Sequence, residues 1–230
     1  CIPADLDDEA EMIIVNASQM RQIDQQTIQE VGIPALVLME NAGRKMVEVI
    51  QQQLPRERNF GVIIGKGNNG GDGLVIARYL AHLGRTVTVY LVSGAHDFTS
   101  SAQVNFKIVQ NLGLPIVDIM RTLPVFDHDV LVDAIFGIGL SRPIEGHTAK
   151  VIQTINKSNA KIVSIDVPSG LNTDTGQPLG ETVKANLTIT VGLNKIGLVV
   201  EPGATLAGQV RVVDIGFPSA VIEQQKISTY

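Results

Sequence analysis

The sequence predicts an α/β fold in which helices cover a mostly parallel sheet. Strand-like and helix-like segments alternate from Phe60 onward. The strand-like segments are continuously apolar, which is typical of strands buried on both faces of a parallel sheet. Helix-like segments end at Gly84 and Gly113, residues of the type that commonly stops a helix. With 230 residues, of which 44% are apolar, the chain can form one large domain with a full core.

Two predicted helices precede the alternation. Residues 1–12 are rich in Asp and Glu and are expected to be a solvated acidic leader, ahead of a single domain over residues 13–230. The first helix places Met20, Ile23 and Ile28 on one face and stops at Gly32. The second starts near Pro34 and covers "ALVLMENAGRKMVEVIQQQ". The sequence does not indicate where these two helices pack.

The alternating part supplies the predicted sheet and its covering helices. Its strands, in order, are "FGVIIG", "TVTVYLV", "PIVDI", "DVLVDAIFG", "KIVSIDVPSG", "NLTITVG" and "QVRVVDIG". The helices between them are "GLVIARYLAHLG", "SSAQVNFKIVQNLG" and "TAKVIQTINKS". This order favours right-handed crossovers between parallel strands.

Composition argues against several classes of protein. The formal net charge is -5 and no basic run occurs, so no nucleic-acid partner is expected. No apolar run approaches the roughly 20 residues of a membrane span. The single cysteine, Cys1, excludes an intrachain disulfide and fits a reducing compartment, hence a cytoplasmic location. Because the chain begins with Cys1 and not Met, we expect that something upstream was removed, at a cut boundary or before a lipoprotein-type cysteine.

A glycine-rich turn follows the first strand of the alternation. Gly65, Gly67 and Gly70 match the G-x-G-x-x-G fingerprint of dinucleotide-binding folds. That fingerprint requires an acidic residue at the end of the next strand, about 20 positions on. "VSG" stands there instead, and Asp97 comes late. The loop is therefore either a tight turn between a strand and a helix, or a phosphate-binding turn adapted to other chemistry.

Polar side chains follow several strands at their carboxyl ends, which meet at one edge of a parallel sheet. Asn68, Asn69 and Asp72 follow the first strand, Asp133 lies in the fourth, and Asp166 and Ser169 follow the fifth. Each has a structural interpretation as well, since Asp133 could cap a turn and Asp166 could begin an Asx turn before Pro168. Their joint position at one edge favours a binding site.

The types of these side chains point to a cation and an acid/base group. Asn69, Asp133 and Ser169 offer oxygen donors with a single carboxylate, which favours a monovalent cation such as K+ over Zn²⁺ or Ca²⁺. The glycine-bearing loop over residues 137–143 could bind a phosphate through its backbone amides. Asp166 is then the best candidate for a general acid/base.

Five ordered motifs resemble the YjeF N-terminal domain, the NAD(P)H-hydrate epimerase family. The resemblance spans about residues 17–218 and rests on "MRQID" with "GIPALVLMENAGR", "GKGNNGGDGLVIARYL", "DAIFGIGLSRP", "IDVPSGLNTDTG" and "VVDIGFP". One departure is "NKIG", where many members of the family have Lys-Pro-Gly, so no role is assigned to Lys195.

The resemblance implies a Rossmann-like three-layer α/β/α sandwich, a homodimer, and epimerisation of the R and S forms of hydrated NADH and NADPH (NADHX and NADPHX). It implies one K+ per subunit on Asn69, Asp133 and Ser169, and a catalytic role for Asp166. The substrate-binding residues that it implies are Asp166, Asn68, Asn69, Gly70, Gly71 and Asp72, together with Gly137, Ile138, Gly139, Leu140, Ser141, Arg142 and Pro143.

A mechanism follows from the chemistry of such a hydrate. Nitrogen lone-pair donation expels the hydroxyl from C6 of the nicotinamide ring once an acid protonates it, and water returns to either face of the planar iminium. The hypothesis is that Asp166 acts as acid in one half and as base in the other. Ring opening to an aldehyde is an alternative route to both epimers. The alternative from another class is a non-catalytic binding or scaffold module. A conventional NAD-dependent dehydrogenase is a second enzymatic alternative, and it is disfavoured because the acidic residue expected at the end of the next strand is missing.

Overall fold

The computed structural model describes residues 13–94 and 98–225. The predicted acidic leader at residues 1–12 and Asp97 lie outside the described residues. The strands are β1 (Ile14–Val15), β2 (Asn59–Ile64), β3 (Thr86–Leu91), β4 (Ile116–Asp118), β5 (Val130–Ala134), β6 (Lys161–Ile165), β7 (Leu187–Val191), β8 (Asn194–Lys195) and β9 (Gln209–Val213). The helices are α1 (Ala17–Gln26), α2 (Ala35–Gln53), α3 (Asn68–His82), α4 (Ser100–Asn111), α5 (Gly146–Lys157), α6 (Gly203–Ala207) and α7 (Ser219–Glu223).

Seven strands form a central sheet in the order β4-β3-β2-β5-β6-β7-β9, and every neighbouring pair is parallel. The chain moves outward from β2 to β3 and β4, then returns to place β5 on the other side of β2. The strand order therefore reverses between β2 and β5, and ligands of such sheets bind in the crevice outside the strand ends at this point. A separate parallel pair joins β1 to β8.

Burial explains why these segments form the sheet. All residues of β5 and five of the six in β2 are buried, as expected for central strands covered on both faces. The edge strands β4 and β9 are largely exposed. Side chains from α2, α3 and α4 pack on one face of the sheet, whereas α5 packs on the other. These are three layers, so the predicted α/β/α sandwich is confirmed.

One helix boundary differs from the sequence-based prediction, and one predicted helix ends at its predicted glycine after an irregular turn. Helix α3 starts at Asn68, five residues before the predicted "GLVIARYL", so the asparagines and glycines of the turn belong to its first turns. The first helix continues as a π-helical turn over Thr27–Val31 before the left-handed Gly32 ends it. Within the described residues, no helix combines the length and apolarity that crossing a membrane requires.

Candidate active site

A cavity of about 410 Å³ opens at the carboxyl edge of the sheet, where the strand order reverses. Its size falls within the ~300–1,000 Å³ of small-molecule sites. The walls come from α1 and the start of α2, the β2–α3 turn, residues 135–140 after β5, Asp166 after β6, and the segment that holds Ile215 and Phe217. The two N-terminal helices, whose place the sequence did not indicate, therefore roof the site.

The β2–α3 turn requires glycine because backbones approach closely there. A Cβ on Gly65 would lie 2.1 Å from the carbonyl oxygen of Ile135, and one on Gly70 would lie 1.9 Å from that of Gly65. Gly67 precedes the first residue of α3, and no side chain caps the helix there. Gly67, Asn68 and Asn69 line the cavity, and the backbone amide groups that begin a helix suit an anionic group.

Asp133 and Ser169 form a buried hydrogen-bonded cluster behind the cavity. The Asp133 carboxylate accepts hydrogen bonds from the Ser164 hydroxyl at 2.8 Å, the Ser169 amide at 2.9 Å and the Ser169 hydroxyl at 2.6 Å. The amide of Ile135 adds a longer one at 3.3 Å. Burial raises the pKa of Asp133, and these hydrogen bonds oppose that shift. The cluster ties the end of β5 to the turn after β6.

Asn69 is a buried polar residue of the cavity wall. Its Oδ1 atom lies 3.2 Å from the place that a Cβ on Gly137 would occupy. Its side-chain nitrogen has no hydrogen-bond partner among the described residues. A buried amide donor without a protein partner is expected to donate to an oxygen of a ligand or of a water molecule at this position.

Asp166 sits in a strained turn at the end of β6. Its φ angle is 66°, the left-handed region, and it is the one non-glycine residue of the described chain with a positive φ. The amide of Val167 bonds to the carbonyl of Ile165 at 2.9 Å across it, a γ-turn. Such conformations cost about 1–3 kcal/mol and concentrate at functional sites. The turn directs the carboxylate toward the cavity.

Lys195 fixes one oxygen of this carboxylate. The fully buried Lys195 donates from Nζ to Asp166 Oδ1 at 2.8 Å, to the Thr190 hydroxyl at 2.7 Å and to the Val191 carbonyl at 2.7 Å. Three acceptors match the three donors of an ammonium group. Burial lowers the pKa of Lys195, and the charge of Asp166 opposes this shift. Among the described residues, the other oxygen, Asp166 Oδ2, accepts one longer bond, 3.3 Å from the Ile138 amide.

Two more carboxyl groups line the same cavity. Asp72 lies in the second turn of α3 and Asp24 in α1, and both are partly buried. Burial raises the pKa of Asp72 well above its ordinary value, and the charges of Asp166 and Asp24 add to the shift. Burial, followed by the charge of Asp166, raises the pKa of Asp24 as well. The site thus joins three carboxyl groups with different surroundings.

The structure brings most of the predicted site residues to this cavity. Those that line it are Asn68, Asn69, Asp72, Gly137, Ile138, Gly139, Leu140 and Asp166. Gly70 and Gly71 are buried in the first turn of α3. Asp133 and Ser169 are buried and do not line the cavity. Ser141, Arg142 and Pro143 are exposed and lie outside the cavity wall, so their part in substrate binding stays a prediction.

Sequence reasoning missed Asp24 and the contact of Lys195. Asp24 lies in an amphipathic helix, where an acidic residue is usually read as part of the solvated face. A lysine between apolar segments carried a signal, since a buried lysine requires a carboxylate partner. No role was assigned to Lys195 from the sequence, because "NKIG" departs from the Lys-Pro-Gly of many family members.

The family profile described as the YjeF-related protein N-terminus matches residues 35–197, more than half of the chain. The chain belongs to this family. The matched span contains the β2–α3 turn, the loop over residues 137–143, Asp166 and Lys195. The residues of the cavity are therefore mostly residues of the family domain, with α1 and the 215–217 segment added from outside the match.

Two relatives and one solved structure define the similarity further. The protein named NAD(P)H-hydrate epimerase of Limosilactobacillus fermentum is 44% identical over 200 residues, which cover 87% of this chain and 95% of that protein. The bifunctional NAD(P)H-hydrate repair enzyme Nnr of Moorella thermoacetica is 40% identical over 224 residues, but this chain spans 42% of its length. The crystal structure of yeast ynu0 matches with a TM-score of 0.77 over 94% of this chain and 95% of that one; at 22% identity it supports the fold alone.

Proposed function

We propose that this chain epimerises the R and S forms of NADHX and NADPHX. The observation that carries the proposal is Asp166, a buried carboxylate that faces a cavity next to the first turn of α3, in a chain 44% identical to a protein named NAD(P)H-hydrate epimerase. A hydrated nicotinamide requires proton transfer at its C6 hydroxyl, and a positioned carboxyl group supplies it. The amides that begin α3 suit the phosphates of a dinucleotide.

The arrangement supports elimination and return of water at C6. Asp166 Oδ2 is the oxygen left for a ligand, because Oδ1 is held by Lys195. Apolar side chains from α1, α2 and the 215–217 segment line the cavity and offer an apolar surface to the nicotinamide ring. The left-handed turn at Asp166 holds the carboxylate in place at the moment of proton transfer.

A direct assay tests this function. An unequal mixture of the purified R and S hydrates should approach equilibrium faster with the protein than without it, as followed by chromatography. A non-catalytic scaffold of the same family would leave the spontaneous rate unchanged. The buried ion pair between Asp166 and Lys195 favours the enzyme over the scaffold. It keeps a charged group beside the cavity, which catalysis requires and a non-catalytic scaffold does not.

We propose in addition that Asn69, Asp133 and Ser169 hold one K+ per subunit. The support is the chemistry of the donors: the Asn69 amide oxygen, the Asp133 carboxylate and the Ser169 hydroxyl are oxygen atoms with a single carboxylate among them, and Asp133 and Ser169 lie in one buried cluster. The carbonyl of Phe136, 3.2 Å from the Ser169 hydroxyl, is a further oxygen donor in the cluster. Bound K+ would supply a positive charge that offsets the substrate phosphates and the three carboxyl groups of the cavity.

Potassium is expected to stabilise the protein through Asn69. At about 100 times its Kd, an ion that binds only the folded state stabilises by about 2.7 kcal/mol. The Tm should therefore rise in KCl relative to tetramethylammonium chloride, and Asn69→Ala should remove most of that rise. The exposed Asn111 at the end of α4 supplies the control, because Asn111→Ala should keep the full rise. An equal response of the Asn69 variant and the wild type would contradict the site.

A homodimer and a cytoplasmic location are further proposals. The resemblance to the family supports the dimer, and the single cysteine supports a reducing compartment. Light scattering on the purified protein checks the first: two chains per particle are expected. We also propose that the chain has no nucleic-acid partner, on the grounds of its net charge of -5.

A further inference from the structure

Two carboxyl groups of the cavity have opposite surroundings. Asp166 is held by the Lys195 ammonium and by the Thr190 hydroxyl on Oδ1, and by the Ile138 amide on Oδ2. Asp72 lines the same cavity, yet its carboxyl group has no hydrogen-bond donor among the residues that the structure describes. One group is therefore paired with a cation, whereas the other is not. Pairs of carboxyl groups whose environments differ in this way divide acid and base roles in enzymes.

The two carboxylates that act on Asp72, those of Asp166 and Asp24, both raise its pKa. Burial raises the pKa of Asp72 first, and Asp166 and Asp24 raise it further. On the elements packed against α3, the remaining charges are engaged or distant: Glu40 of α2 binds Arg78 and Tyr79, and Lys107 of α4 is exposed. Lys66 in the β2–α3 turn also lines the cavity, but no cation contributes to the pKa shift of Asp72 among the described residues. Asp72 therefore keeps its proton to a higher pH than a solvated aspartate does.

We infer that Asp72 donates the proton to the departing C6 hydroxyl and that Asp166, held by Lys195, accepts the proton of the water that returns. This inference rests on the proposed epimerase function and deepens it. It replaces the single acid/base group predicted from the sequence with two groups. Asp72 stands on α3 and Asp166 stands at the end of β6, so the two reach the substrate from different walls of the cavity.

The step balances without any co-reactant. The proton of Asp72 passes to the hydroxyl oxygen, the C6–O bond breaks, and its electron pair leaves with water while the lone pair of the ring nitrogen forms the C=N bond. Water then attacks C6 from the other face, the π pair returns to nitrogen, and a water proton passes to Asp166. The enzyme is left with ionised Asp72 and protonated Asp166, the form that converts the product back. Proton exchange with solvent restores the starting form.

Oxygen labelling tests whether Asp72 and Asp166 act on opposite faces of the nicotinamide ring. One pure epimer is mixed with the protein in H₂¹⁸O, and both epimers are isolated early, with the spontaneous exchange subtracted. If Asp72 and Asp166 act from different faces, the product epimer carries ¹⁸O and the recovered starting epimer does not. Label in the recovered epimer at the same rate would mean one group acting on one face and would overturn the inference. An unlabelled product would indicate ring opening and would also overturn it.

Asp72→Asn provides the second readout. Its rate of epimer exchange should fall about 10²–10⁴-fold, the usual contribution of a general acid. The residual activity should lose the alkaline limb of the pH profile, which reports the loss of a protonated acid. Asp72→Glu should recover part of the rate, because it restores the titrating group. The exposed Asp127, on the amino side of β5, gives a matched control in which Asp127→Asn keeps the wild-type rate.

Thermal unfolding separates a catalytic Asp72 from a structural one. The folded pKa of Asp72 lies above its ordinary value of 3.8, so its stabilising contribution is present below that value and is lost as the pH rises through the folded pKa. Asp72→Asn should therefore raise the Tm at about pH 8 and have little effect at about pH 3.5, below the ordinary pKa of an aspartate. A lower Tm at both would indicate a structural role instead. Exchange by the wild type with no loss in Asp72→Asn contradicts this inference alone, whereas no exchange by the wild type contradicts the proposed function itself.

Discussion

Asp166→Asn is expected to slow the exchange of the two epimers about 10²–10⁴-fold, because the amide cannot take up or release a proton. The γ-turn should survive, since asparagine tolerates the left-handed conformation that Asp166 adopts at φ 66°. Substrate affinity should change little, because the amide keeps the size and the hydrogen-bonding oxygen of the carboxylate. Chromatography of unequal mixtures of the R and S hydrates, corrected for the spontaneous rate, measures the effect.

The structure changes what this variant should do to stability. The sequence alone predicts that the Asp166→Asn variant keeps its fold. In the structure, however, the substitution leaves the buried Lys195 ammonium without its counter-charge. Burial already lowers the pKa of Lys195, and loss of Asp166 removes the charge that opposes the shift. The assay must therefore run well below the Tm of the variant. Exchange within about threefold of the wild type, outside the range for an acid/base group, would contradict the role of Asp166.

The sequence was most informative where backbone geometry or burial demands a particular residue. Gly65 and Gly70 stand where a Cβ would clash with a carbonyl oxygen, so the turn after β2 could be recognised from its glycines. Asp133 lies within an apolar strand and Asp166 directly follows one, and a carboxylate in such a place is costly unless it has a partner. Parallel topology then brought these residues to one edge, because every strand of the sheet ends on the same side.

Contacts between distant segments were beyond sequence reasoning. The amide that begins α1 bonds to Asp174 at 2.6 Å, a partner 157 residues away. That contact helps to dock α1 over the cavity and so brings Asp24 to the site. No local pattern encodes it, since an amphipathic helix can pack its apolar face on either layer. The same reasoning applies to Lys195, whose β8 strand pairs with β1 at the other end of the chain.

Lys195→Met is expected to reduce both stability and turnover. Removing one partner of a buried ion pair typically costs about 3–5 kcal/mol, since the remaining charge is left uncompensated. Lys195 does not line the cavity, so it acts on the substrate only through Asp166. Displacement of a catalytic group by about 1 Å can cost about 10²-fold, which sets the expected loss in kcat. The exposed Lys184 supplies the control, because Lys184→Met should leave Tm and rate unchanged.

The two single variants of the ion pair should depend on pH in opposite ways. In Lys195→Met the buried Asp166 lacks a cation and binds protons more readily when folded, so stability is lost as the pH rises. In Asp166→Asn the buried Lys195 releases its proton more readily when folded, so stability is lost as the pH falls.

The double variant Asp166→Asn/Lys195→Met has neither charge and should be more stable than either single variant, with a flat response between about pH 6 and 9. Parallel pH slopes for the two single variants, or additive losses in the double variant, would show that Asp166 and Lys195 do not act as a pair. Thermal unfolding of the wild type, the two single variants and the double variant across this pH range measures these differences.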